Sequence, residues 1–483
     1  MKNQSQNSRP RLSLRLKDKN IGVAHVWNYV RAAVSGTDKD FTTEKLGKAI
    51  FLLSIPMILE MVMESVFAVV DIFFVSKLGA DAVATVGITE SLMTIVYSLA
   101  VGLGTATTAL VSRRIGEKNP DGAAVSAVQA IFVGIGISFF ISIPGILWAP
   151  KILNLMGVES AAIKSFSSYT SIMLGANVII MMLFIINAVF RSAGDAAISM
   201  RVLWVANFIN IVLDPCLIFG WGPFPELGIK GAAIATNIGR GIAVIYQFYL
   251  LFWGKKRVRI NRSHIKIKFG VMKKLLRLSI GGIGQSLIAT SSWIGMVRIV
   301  SIFGSQVMAG YTIAIRIVIF SILPAWGLSN AASTLVGQNL GAKKPERAEK
   351  SVWMTGFANM GFMGFLAAIF IVFPGFFVSL FISDPVVIAS GVSCLRIVSY
   401  GFVFYALGMV MVQAFNGAGD TATPTIINFF CFWMFEIPLA YVLAIPLGLE
   451  EKGVYVAIVA AETLMTITAV LIFKRGRWKA REL

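Results

Sequence analysis

Twelve apolar runs of spanning length organise the chain, at about 49–76, 84–111, 125–149, 165–190, 198–221, 231–253, 275–303, 309–336, 352–381, 388–415, 424–447 and 453–473. Crossing a bilayer takes roughly 20 apolar residues as a helix. A lipid-exposed helix also satisfies its own backbone hydrogen bonds. The runs therefore predict an all-α integral membrane protein with twelve transmembrane helices. At 57% hydrophobic and 14% charged over 483 residues, the composition is too apolar for a water-soluble chain of this size.

The net charge of +19 would suggest nucleic acid, but the charges are not placed for it. With the N-terminus inside, the inner segments hold 34 of the 43 Lys and Arg residues. The outer connections hold five, Lys77, Lys151, Lys164, Lys230 and Lys452, and Arg240, Arg298, Arg316 and Arg396 lie in or near the runs. This positive-inside pattern predicts two cytoplasmic termini and argues against a nucleic-acid partner; the plasma (inner) membrane is the expected location. The first 20 residues are polar and basic, with no signal-peptide core. Ile21 to Val34 reads either as a surface amphipathic helix or as an unstructured segment. Cys216, Cys394 and Cys431 have neither disulfide nor metal spacing, and both histidines fall outside the runs.

The two halves repeat. Residues 102–123 align without a gap on 327–348, a shift of 327 − 102 = 225, with nine of 22 positions identical. The same shift pairs Ser54-Ile55 with Ser279-Ile280 and Ala193-Gly194-Asp195 with Ala418-Gly419-Asp420; Lys230-Gly231 pairs with Lys452-Gly453 at 222. Six runs per half make the repeat parallel, with a substrate site expected between repeats near the midplane. The expected organisation is a basic tail (1–44), a six-helix lobe (45–254), a cytoplasmic linker (255–274) and a second six-helix lobe with a short basic tail (275–483).

The first run carries Glu60, Glu64 and Asp71, spaced four and seven apart and so on one helical face. Each acid would cost about 2.5–3.5 kcal/mol at the centre of an isolated span, so the stripe should face protein or a wet cavity. Such acids mark ion or substrate pathways, or else bind a neighbouring helix. Their repeat mates are Gln285, Ala289 and Met296, so the acidic chemistry belongs to the first half. In the fifth run Asn210 and Asp214 share a face, and Pro215 follows. The pair is either a packing kink or, with Asp71, a proton or cation site. Pro56 and Pro215 each remove a helical hydrogen bond and are hinge candidates. Met57 and Met61 give pliable walls beside Glu60 and Glu64 for a substrate cavity. The Ala-Gly-Asp pairs read as helix-end turns, and Glu436 and Glu462 as isolated acids. No phosphate loop and no His-Glu-x-x-His occurs, so direct ATP-driven pumping, zinc proteolysis and bound cofactors are not expected.

From about 45 to 475 the chain resembles the multidrug and toxic compound extrusion (MATE) transporters. The likeness rests on VVDIFFVSKLGADAVATVG, VSRRIGEKNPDGA, the FRSAGD and FNGAGD turns, and INIVLDP followed by GIKGAAIAT. It implies export of cationic and amphipathic compounds in exchange for H+ or Na+ between outward-open and inward-open states. It also implies an ion site at Asp71, Asn187, Asn210, Asp214 and Thr236, with Asp71, Asn210 and Asp214 as metal ligands only if the ion is Na+, and a bend at Pro56. Where this pattern usually has Gln, the chain has Glu64, and Ala289 stands where a second-lobe site would have an acid. The reading is a monomeric antiporter for organic cations, not an enzyme. Its rivals are a lipid or lipid-linked-oligosaccharide flippase of related fold, and a receptor or channel.

Overall fold

The computed structural model describes residues 23–37, 39–157, 160–254 and 256–483. The first 22 residues, including Ile21 and Gly22 of the amphipathic stretch, and Lys255 of the linker lie outside them. Among the described residues the fold is helical, with no strand. Val23–Ser35 forms a short lead helix whose Tyr29 ring meets Phe51 at 6.3 Å.

The first six spans are α1 (Leu46–Ser76), α2 (Ala80–Gly116), α3 (Pro120–Leu147), α4 (Ser160–Gly175 and Asn177–Ala193), α5 (Ala196–Phe219) and α6 (Ile229–Trp253). The second six begin with α7 (Phe269–Val300), α8 (Ser305–Gly341), α9 (Pro345–Val372) and α10 (Pro385–Ser399 and Phe402–Ala418). They end with α11 (Ala422–Asn428 and Ile437–Ala444, joined by a π-helical stretch) and α12 (Glu450–Lys474). Among the described residues nine helices are long and apolar enough to cross a membrane, ten counting α10, which bends by 55°. The remaining two spans are the charge-bearing α1 and α6, at 31 and 25 residues.

The breaks repeat as the sequence does. α4 breaks at Ala176 and α10 at Tyr400-Gly401, and 176 + 225 = 401. At the first break Asn177 donates to the Leu174 carbonyl, an acceptor at the interruption, and to the Ser138 carbonyl and Ser142 hydroxyl of α3, tying the break to that helix. The Ala-Gly-Asp turns close α4 and α10, with Gly194 at φ 93° and Gly419 at φ 82°. These left-handed caps favour glycine.

One buried core fills the first six spans and reaches the linker and the start of α7, two lie within the last six, and a fourth joins α1 to α8. The seam pairs α1 with α8 and α2 with α7. Two reciprocal contacts reveal its pseudo-two-fold axis. A Cβ on Gly116 would lie 2.0 Å from the Gln338 carbonyl oxygen, and one on Gly341 would lie 2.2 Å from that of Arg113. Both pairs are repeat mates (341 − 116 = 225 and 338 − 113 = 225). Small residues let helix backbones approach where no hydrophobic force drives them together.

The connecting segments cross this end of the seam. Lys344 and Arg347 of the second lobe donate to the Thr42 and Phe41 carbonyls ahead of α1. Gln129 of α3 holds the linker at Lys266 and Lys268 ahead of α7. The C-terminal segment docks Trp478 on Phe473, and its Arg481 carbonyl accepts from Arg113 at 2.8 Å. The reciprocal glycine contacts therefore sit at the end that carries the linker and the basic segments, and close packing continues inward to Gly102 against Ile283 and Gly327 against Met57.

Candidate ion and substrate site in the first lobe

α5 presents Asn210 and Asp214 one turn apart, and α6 presents Thr236 opposite them. Asn210 Nδ2 donates to Asp214 Oδ1 at 3.2 Å and to Thr236 Oγ1 at 3.1 Å. Glycines make this approach possible: a Cβ on Gly239 would lie 2.6 Å from the Ala206 carbonyl oxygen of α5, and one on Gly231 2.2 Å from that of Leu217. Asp214 is fully buried. Its Oδ2, and Oδ1 of Asn210, are buried without a hydrogen-bond partner among the described residues. Asp71 of α1 is half-buried and close enough to act on Asp214 electrostatically. The unpartnered acceptors are both oxygens, which suits a proton or a hard cation.

The acid stripe of α1 faces the helices of its own lobe, where the three acids meet different surroundings. Glu60 is 2% exposed and pairs with Arg191 of α4 at 2.6 Å. Asn187 Nδ2 approaches the same carboxylate at 3.4 Å, and Gln247 Nε2 donates to Asn187 Oδ1 at 2.6 Å. The structure thus hydrogen-bonds Asn187 to Glu60 and Gln247, not to Asn210 or Asp214. Met57 is buried in the seam with Leu328 and Ala331. Glu60 and Met57 therefore line no open space in this conformation, because an ion pair takes one and lobe packing the other. Met61 is half-buried.

Glu64 is the partly open member. Its side chain is 31% exposed and meets Arg240 Nη2 of α6 at 3.3 Å and Asn207 Nδ2 of α5 at 3.4 Å. Arg240 also reaches the Tyr97 hydroxyl at 3.4 Å and lies over the Phe67 ring at 5.0 Å. Glu90 of α2 is exposed and within electrostatic reach of Arg240. Reading the runs one at a time overlooks Arg240, Tyr97, Gln247 and Glu90. Arg240 carries a usable signal: it follows Thr236 by four residues, the spacing that singled out Asn210 and Asp214. α1 and α5 run unbroken through Pro56 and Pro215, so each proline weakens its helix without ending it.

In the second lobe Ser292 donates to Glu436 at 2.7 Å, and Glu462 lies within electrostatic reach of Glu436.

The MatE family model matches the chain twice, over residues 56–216 and 283–442. The chain is 25% identical over 442 residues to the "Probable multidrug resistance protein NorM" of Thermotoga maritima, covering 90% of this chain and 94% of that one. It is 24% identical to the "FAD transporter" of Shewanella oneidensis, covering 89% and 95%. A solved "Outward-facing conformation of a multidrug resistance MATE family transporter" superposes with a TM-score of 0.85 at 25% identity, covering 91% of this chain and 97% of that one. The two matches fall one in each half, from α1 into α5 and from α7 into α11, and the chain belongs to the MatE family of membrane transporters.

Proposed function

We propose that this transporter is a secondary active antiporter, exporting cationic or amphipathic organic compounds in exchange for H+ or Na+. One observation carries the reading: Asp214 Oδ2 and Asn210 Oδ1 are buried with no hydrogen-bond partner among the described residues. Buried acceptors are costly until a donor or cation satisfies them. In the proposed cycle Asp71 and Asp214, with Asn210 and Thr236, take the ion from outside. The weakened α1 then shifts at Pro56, the cavity releases its substrate, and the lobes rock about the seam to deliver the ion inside. The protein acts as a monomer in the plasma membrane with both termini in the cytoplasm.

Purified protein in sealed vesicles tests this. An imposed proton or sodium gradient should drive accumulation of an organic cation, and that cation should in turn move the ion. Accumulation under neither gradient would refute antiport. Topology has a separate test at Ser263, exposed on the linker. Ser263→Cys should resist an impermeant thiol reagent in intact cells, and strong labelling would reverse the proposed orientation.

A further inference from the structure

Two carboxylates of one α1 face, one turn apart, are each met by an arginine, but the two pairs are built differently. Glu60–Arg191 is short, at 2.6 Å, and its acid is almost wholly buried. Glu64–Arg240 is long, at 3.3 Å, beyond the roughly 2.7–2.9 Å usual for a charged pair. Here the acid is the open partner, with a side chain 31% exposed, while the arginine side chain is 5% exposed. The guanidinium is also incompletely held: its Nε is buried without a partner among the described residues, and its Tyr97 contact is long at 3.4 Å. It rests over the Phe67 ring at 5.0 Å, whose face attracts a cation. An arginine keeps its charge at all working pH values, so the group cannot leave by neutralising.

We infer that Arg240 is a tethered cation occupying on Glu64 the place that a cationic substrate takes, and so sets both affinity and release for positively charged compounds. The inference rests on the cation-export reading above and adds its charge selectivity. A substrate cation enters from the open side of Glu64 and displaces the guanidinium toward Tyr97 and Phe67. When substrate departs, the guanidinium returns, and no bare carboxylate is left in a low-dielectric cavity to recapture it. Glu60–Arg191, with no open side, does not exchange. Arg240 is on this account a specificity residue, distinct from the ion-binding oxygens of Asn210, Asp214 and Thr236.

The test compares tetraphenylphosphonium with neutral triphenylphosphine oxide on the full-length protein in nanodiscs and vesicles. Arg240→Gln should bind the phosphonium about tenfold more tightly, equivalent to about 1.4 kcal/mol. Its turnover for that compound should fall, so that KM and kcat decrease together, while affinity for the oxide changes less than twofold. Arg240→Lys, which keeps the charge, should stay near wild type. Unchanged or weaker phosphonium binding by Arg240→Gln, or an equal change for both compounds, would overturn the inference. Should Arg240→Gln fail to fold, Glu64→Gln and the double Glu64→Gln/Arg240→Gln variant decide. The single change should weaken phosphonium binding, removing the unmatched Arg240 should restore part of it, and no restoration would overturn the inference. Wild type that binds the oxide but not the phosphonium would overturn the cation-export reading itself, and this inference with it. Wild type that binds both, with Arg240→Gln unchanged, overturns this inference alone.

Discussion

The two lobes share one architecture but carry different charges in it. Glu60 and Arg191 form an ion pair in the first lobe; their repeat mates, Gln285 and Asn416 (both at a shift of 225), form a reciprocal amide pair at 3.0 and 3.1 Å. The same contact between the first and fourth helices of each repeat is therefore ionic in one lobe and neutral in the other. At the shift of 222 that relates Lys230 to Lys452, Arg240 of α6 corresponds to Glu462 of α12. The backbone repeat is thus independent of its charges, and a charged group confined to one lobe is a candidate for function rather than for fold.

The most damaging change should be Asp214→Asn, which keeps size but removes the titrating group. It should reduce gradient-driven efflux to background with folded protein still in the membrane, while Glu462→Gln at equal expression keeps most activity. Comparable losses from both would break the assignment of coupling to the first lobe.

Next comes the ion pair. Glu60→Gln or Arg191→Asn alone should cost about 3–5 kcal/mol, because each leaves a buried charge unpaired. The double variant copies the neutral pair of the second lobe and should recover most of that loss. Thermal unfolding in detergent, followed by the thiol reactivity of buried Cys394 and Cys431, measures it. A double variant no better than the singles would mean that the two contacts are not equivalent.

A smaller and matched effect is expected at the seam. Gly116→Ala and Gly341→Ala should both loosen the end that carries the basic segments, by similar amounts, as judged by thiol labelling of cysteines placed along it. Unequal effects would mean that the pseudo-two-fold contact is not symmetric in energy.

The smallest change concerns Glu64→Gln. It should weaken binding of a quaternary ammonium dye by less than about tenfold, the scale of one partly solvated charge pair, with a smaller effect on a neutral analogue and ion coupling retained. Equal losses for both compounds would reduce Glu64 to a structural hydrogen-bonding role.

Much of this was legible in the chain itself. Apolar length marks the spans because a bilayer leaves the backbone few alternatives. Asn210 and Asp214 are legible from their four-residue spacing, since helical geometry fixes which side chains share a face. What could not be read were the pairings across helices. Glu64 and Arg240 are 176 residues apart, and Glu60 and Arg191 are 131 apart, with no local rule joining them. For that reason the acidic stripe reads from sequence as bare charge, whereas two of its three members meet arginine in the fold. Asn187 is drawn to Glu60 for the same reason: α4 carries it beside Arg191, one turn away. Pro56 does not end α1 because α5 and α8 pack along that helix and hold its course.

The most direct test of a first-lobe coupling site is ion release from purified protein on adding tetraphenylphosphonium, followed in weakly buffered detergent with a pH dye and, separately, with a sodium-selective electrode. Wild type and the Glu436→Gln/Glu462→Gln variant should release H+ or Na+ as the phosphonium binds, and Asp214→Asn should release neither while still binding it. Release that persists in Asp214→Asn and disappears in the Glu436→Gln/Glu462→Gln variant would place the coupling site in the second lobe and contradict the account.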